Sequence, residues 1–109
     1  MEDLLTKNYE LHPKFAGVFM KHFFTSKDNE YLNNLEVIVK PECEIGLHTH
    51  TVHEFFYVVR GQGMVYRNNE WCSALAGEAF CAKPGEMHGF KNVSKDELVL
   101  FSTFTPPVI

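Results

Sequence analysis

Long apolar runs are missing from this 109-residue chain. The longest is Phe55–Val59, against the roughly 20 residues that a membrane-spanning helix needs, so none is expected. Arginine is scarce: Arg60 and Arg67 are the only two, and 10 Lys+Arg against 14 Asp+Glu leave a net charge of −4. A chain without a basic face is not expected to bind nucleic acid. Cysteine is scarce as well, and Cys43, Cys72 and Cys81 form no Cys-x-x-Cys pair. That excludes a zinc knuckle and a thioredoxin-type redox pair. Three reduced, mostly buried thiols are expected, in keeping with a cytoplasmic location. Met1–Thr6 carries Glu2 and Asp3 with no long apolar stretch behind it, so no secretory leader is expected. Helical signals are few: only Glu2–Lys7 reads as helix, and weakly. There is no internal repeat, linker or low-complexity segment.

What remains is strand material. The chain is 45% hydrophobic and 14% aromatic, enough for one domain with a real core and too apolar for a disordered chain. Val18–Thr25 is rich in Phe and Val. Tyr31–Lys40 contains Val37-Ile38-Val39 and stops at Pro41. Glu54–Arg60 is aromatic and β-branched and closes on Gly61-Gln62-Gly63. Met64–Arg67 and Glu70–Leu75 flank Asn68-Asn69, a pair suited to a tight hairpin because Asn tolerates positive φ. Ala76-Gly77 and Pro84-Gly85 mark further turns, and Leu98–Thr105 is a last strand ended by Pro106-Pro107. Eight to ten short strands in one stretch predict an all-β domain, either a closed barrel or a sandwich, since closure or stacking removes exposed edges.

Four of the six histidines fall between positions 48 and 88. In a strand, residues i and i+2 share a face, so His48 and His50 project together. A tight reversal over Thr51–His53 would start the next strand at Glu54, directly beside them. His88 follows the Pro84-Gly85 turn, where another strand should begin. Three neutral imidazoles and one carboxylate suit a divalent transition metal and leave coordination positions open, as a catalytic metal requires.

With those spacings, GLHTHTVHEFFYVVRG (residues 46–61) and GEAFCAKPGEMHGFKN (residues 77–92) resemble the two motifs of the cupin superfamily, in its small single-domain form. His48, His50, Glu54 and Gly61 match the first motif, and Gly77, Gly85, His88 and Asn92 match the second. Two positions depart from it. The opening Gly falls on Glu42, with Gly46 a nearby source of turn flexibility. The first Pro of the second motif falls on Lys83, leaving Pro84 to stiffen the turn. The resemblance implies a single jelly-roll β-barrel over residues 1–109, with 1–17 as an N-terminal arm or strand. It also implies a metal (Fe, Mn, Ni or Zn) held by His48, His50, Glu54 and His88, and no organic cofactor. Asn92 is expected to bridge backbone groups near the second motif.

Proton-transfer candidates are His53, Tyr57 and Tyr66, although a loop histidine and barrel tyrosines are more often inert or core residues. Arg60 and Arg67 are expected in surface salt bridges rather than on a substrate carboxylate. His12 and His22 lie outside the motifs and receive no role. Phe55, Phe56, Phe80, Phe90, Phe101 and Phe104 sit in or beside strands, and alternation lets about half face inward. The rest would leave an apolar outer face, which predicts a homodimer through one sheet, with an exchanged N-terminal strand. Two functions follow from this reading. One is a metal-dependent enzyme on a small organic substrate, either a dioxygenase (an oxidoreductase) or an isomerase, lyase or decarboxylase. The other is a non-catalytic module that binds or senses a small ligand through the metal.

Overall fold

A computed structural model describes residues 8–109. The weak helix read over Glu2–Lys7 lies outside them. Among the described residues there are ten strands: β1 (Glu10–Leu11), β2 (Val18–Phe24), β3 (Asn33–Val39), β4 (Glu44–His48), β5 (His53–Arg60), β6 (Gln62–Arg67), β7 (Glu70–Leu75), β8 (Ala79–Ala82), β9 (His88–Lys91) and β10 (Leu98–Thr105). They form a six-stranded sheet in the order β1-β2-β3-β10-β5-β8 and a four-stranded sheet in the order β4-β9-β6-β7. All pairings are antiparallel. This is an all-β jelly roll. Among the described residues no helix is long and apolar enough to cross a membrane.

Turn chemistry sets the chain reversals. Asn68 and Asn69 have φ of 51° and 66°, the paired positive values that let a two-residue hairpin follow the strand twist. Gly61 has a φ of 88°, and a Cβ there would stand 2.3 Å from the Glu97 carbonyl oxygen, so only glycine fits between β5 and β6. Glu42, where the motif would have glycine, adopts a φ of 64° itself. Gly46 lies inside β4 with the Phe15 ring packed against it, so it does not supply the turn. At Lys83 the backbone N–H donates to the Glu86 carboxylate at 2.9 Å, a bond that proline has no hydrogen to make. Asn92 is 2% exposed. Its amide donates to the carbonyls of Val39 (2.8 Å) and Asp96 (2.7 Å), tying the end of β9 to β3.

The register of the larger sheet arranges its inward side chains in rows. Val18, Val39 and Leu98 form one end row, each 0% exposed. Met20, Val37, Leu100 and Val58 come next, and then His22, Leu35, Ser102, Phe56 and Phe80. The last row holds Asn33, Phe104, Glu54 and Ala82. Phe90 and Val65 face them from the smaller sheet and complete the core. Apolar rows thus close one end of the interior, and polar side chains occupy the other. The three cysteines are free. Cys43 and Cys72 are half-buried and Cys81 is exposed, which corrects the expectation of mostly buried thiols. Cys81 faces out with its cross-strand partner Phe55, because the adjacent pair Ala82 and Glu54 takes the inward positions.

Candidate metal centre

The four motif residues come together from both sheets. His48 ends β4 and pairs directly with His88 at the start of β9, after an irregularity in register between Ile45 and His48. A Cβ on Gly89 would lie 2.7 Å from the Ile45 carbonyl oxygen, so glycine after His88 is what lets β9 approach this irregular stretch. His50 sits in the loop before β5, held by a 2.8 Å bond from the Gly85 N–H to its carbonyl. Glu54, on β5, reaches across from the opposite sheet. One ligand atom from each of the four lies within 4.8 Å of the others. Metal–nitrogen bonds of about 2.1 Å allow ligand atoms to stand up to about 4.2 Å apart, so small side-chain rotations suffice to bring all four onto one ion.

The hydrogen bonds select the atoms that remain available. His48 Nδ1 donates to the Gly46 carbonyl at 2.7 Å, and His88 Nδ1 donates to the Glu86 carbonyl at 2.9 Å. Each bond fixes the ring and leaves Nε2 with its lone pair. Glu54 Oε1 lies 3.2 Å from His88 Nε2 and 3.3 Å from His50 Nε2. Phe104 stands edge-on to the His50 ring, with centroids 5.0 Å apart, and Phe56 packs on His88 at 5.6 Å. Burial pushes the Glu54 carboxyl up, but hydrogen bonds and charge from His50 and His88 outweigh it and hold the group below the usual carboxylate range. Burial lowers His48. Burial also works against the charged form of His88, yet the Glu54 carboxylate and the Glu86 carbonyl raise it above the ordinary imidazole value. The donor set is therefore an ionised carboxylate and three imidazoles, a suitable set for a divalent transition metal.

These four residues line a cavity of about 460 Å³ whose other walls are mostly apolar. The three proton-transfer candidates lie elsewhere. His53 and Tyr57 are exposed on the outer face of β5, because Glu54, Phe56 and Val58 take the inward positions. Tyr66 packs edge-on against Trp71 on the smaller sheet and does not line this cavity. Conversely, His12 and His22, which carried no motif signal, both line it. Arg60 pairs with Glu97 at 3.9 Å, as a surface bridge. Arg67 lies over the Phe80 ring at 5.2 Å and pairs with no carboxylate among the described residues.

Known proteins agree with this architecture. The chain belongs to the cupin domain family, whose profile matches residues 35–104. It is similar to a solved RmlC-like cupin from Shewanella frigidimarina NCIMB 400, at 22% identity over 94% of this chain and 87% of that one, TM-score 0.78. It is also similar to a predicted oxalate decarboxylase from Thermotoga maritima, at 23% identity over 82% and 80%, TM-score 0.75. KdgF from Halomonas sp. matches at 25% identity over 90% and 84%, TM-score 0.75. The first two likenesses show the fold alone. A comparison with curated proteins finds no match.

Proposed function

We propose that this chain, as a single barrel, is a metal-dependent enzyme acting on a small organic molecule. The reaction is either a dioxygenation or an isomerase-, lyase- or decarboxylase-type step. The observation that carries this reading is the opening of a four-residue His/Glu cluster into an apolar cavity of a size suited to a small substrate. His48, His50, Glu54 and His88 would hold the ion. A bound divalent metal supplies Lewis acidity for a carbonyl or enolate or, if it is iron, a site for dioxygen. The chain itself does the rest. The carbonyls of Gly46 and Glu86 keep two imidazoles oriented. Phe56 and Phe104 keep water from the ligand faces.

His12, on the cavity wall, is the non-ligand group we assign to donating a hydrogen bond to the substrate. Burial and the nearby Lys14 hold it below the ordinary imidazole value, so it stays neutral. The backbone N–H groups of Lys14 and Phe15 donate to its Nδ1, which places the ring proton on Nε2. The test is turnover of small carboxylic and keto acids by protein loaded in turn with Fe(II), Mn(II), Ni(II) and Zn(II), with oxygen uptake followed in the iron form. Turnover in one metal form is expected. Saturable ligand binding with no turnover in any form would replace this reading with that of a binding module.

The outer face of the larger sheet supports a homodimer. Phe55, Tyr57 and Val59 of β5 are 45%, 47% and 44% exposed, and Phe23, at 44%, packs beside Phe101. Tyr57 and Phe55 lie directly opposite Phe101 and Thr103, which groups these side chains on one face, as at protein–protein contact sites. β1 pairs with β2 of its own chain, so the proposal rests on this face and not on strand exchange. Light scattering should give about twice the chain mass of 12.6 kDa. A monomer mass would overturn the proposal.

A further inference from the structure

The cavity has a second polar pole, away from the four-residue cluster. Asn33 is 1% exposed, lines the cavity and shares a row with Phe104 and Glu54. Its Oδ1 accepts from the Val108 N–H at 2.8 Å, so the amide cannot be reversed without setting N–H against N–H. That leaves Nδ2 as a buried donor with no partner among the described residues. Leaving a buried donor unpaired is unfavourable, and such groups in native folds call for an explanation. A second unpartnered atom lies on the neighbouring strand. His22 stands opposite Leu35, the next inward residue along β3 from Asn33, and its Nδ1 is also buried without a partner. Its Nε2 is 3.1 Å from the Glu10 carboxylate. The ring proton therefore belongs on Nε2, and Nδ1 of the neutral ring is an acceptor.

The residues that carry this unused donor and unused acceptor thus lie diagonally across two paired strands, and both residues line one cavity. A single group satisfies both only if it accepts and donates, as a hydroxyl or a primary carboxamide does. A carboxylate cannot donate, and an alkyl end does neither. With strands about 4.8 Å apart, the two gaps between β5 and β3 put Asn33 roughly 10 Å from Glu54 along their row. We infer that this pole is the specificity end of the site. The ligand is an elongated molecule whose oxygen-bearing head reaches the His/Glu cluster and whose far end carries a hydroxyl or carboxamide bound by Asn33 Nδ2 and His22 Nδ1. The inference rests on the metal reading for the head group alone.

The test uses zinc-loaded protein and hydroxamates, which chelate zinc, sharing one trimethylene spacer and ending in a carboxamide, an acetyl or an isopropyl group. Titration calorimetry should rank them carboxamide, acetyl, isopropyl, with the acetyl compound about tenfold tighter than its apolar isostere. The side-chain NH₂ resonances of Asn33 should shift with the first two only. Asn33→Asp keeps an acceptor for the Val108 N–H and removes the donor. It should erase the acetyl advantage while leaving isopropyl affinity within about twofold. Equal affinities in the wild type, meaning that the pole holds a retained water and selects nothing, would overturn the inference. So would any other ranking, a preference that survives Asn33→Asp, or no binding at all by protein that holds its zinc. Failure to hold zinc in the first place would instead sink the metal reading.

Discussion

The two ends of the barrel are built from the same strands and behave as opposites. At one end Val18, Val39, Leu98, Val58 and Leu100 are each 0% exposed and purely apolar. At the other, the same β3, β5 and β10 carry Asn33, Glu54 and Ser102, buried as deeply as core residues. Burying polar groups opposes folding unless they are paired, so the closed end must supply the stability that the polar end does without. A jelly roll can do this because each strand runs through both regions, and one continuous ladder links the aliphatic rows to the ligand rows.

The sharpest way to break this division is to damage the closed end alone. Leu100→Ala should destabilise the protein by about 2–5 kcal/mol in denaturant titration, while zinc stoichiometry at low temperature is unchanged. Loss of metal at that distance would show that the two ends are not separable. The converse change is His50→Ala, which removes a half-buried imidazole of the cluster. Zinc affinity should fall by more than about a hundredfold by competition with a chelator, with the unfolding midpoint of the metal-free protein nearly unchanged.

A smaller effect concerns pH. In the metal-free protein the Glu54 carboxyl is held low, so its contribution to stability exists above the unfolded carboxylate value and is lost as pH falls through the folded value. His88 is held high, so its contribution is present below the unfolded imidazole value and disappears as pH rises through the folded one. His48 and His12 are held low, so they weaken the fold as pH falls below the unfolded imidazole value, and metal-free protein should be most stable near that value. Zinc needs neutral imidazoles, so the melting-temperature gain it gives should grow from pH 5.5 to 7.5, with release below about pH 6. A gain independent of pH would contradict the ligand assignment. The smallest effect belongs to the turn before β4. Glu42→Gly relieves a left-handed φ at an exposed side chain and should stabilise by about 1 kcal/mol in the same denaturant assay.

Legibility in the sequence followed the range of the interactions. His48, His50 and Glu54 lie close in the chain, and strand alternation with one reversal was enough to group them. β7 and β10 were bounded at their observed residues because their flanks are strong turn formers. β4 and β8 were not, since EIGLH and AFCA have little strand preference of their own and form through pairing with β9 and β5. With Glu54 facing in, counting along β5 turns His53 and Tyr57 outward, so both candidates fail on a parity that the sequence itself contains. Nothing local marks His22 and Asn33. They meet in the cavity because β2 pairs with β3 in a particular register, and His12 reaches it from a loop.

The central claim is that one ion sits on His48, His50, Glu54 and His88. Elemental analysis of protein purified without an affinity tag tests it directly, on the wild type and on His50→Ala and His88→Ala. One transition-metal ion per wild-type chain and almost none in either variant is the predicted result. Equal metal content in all three proteins would contradict it.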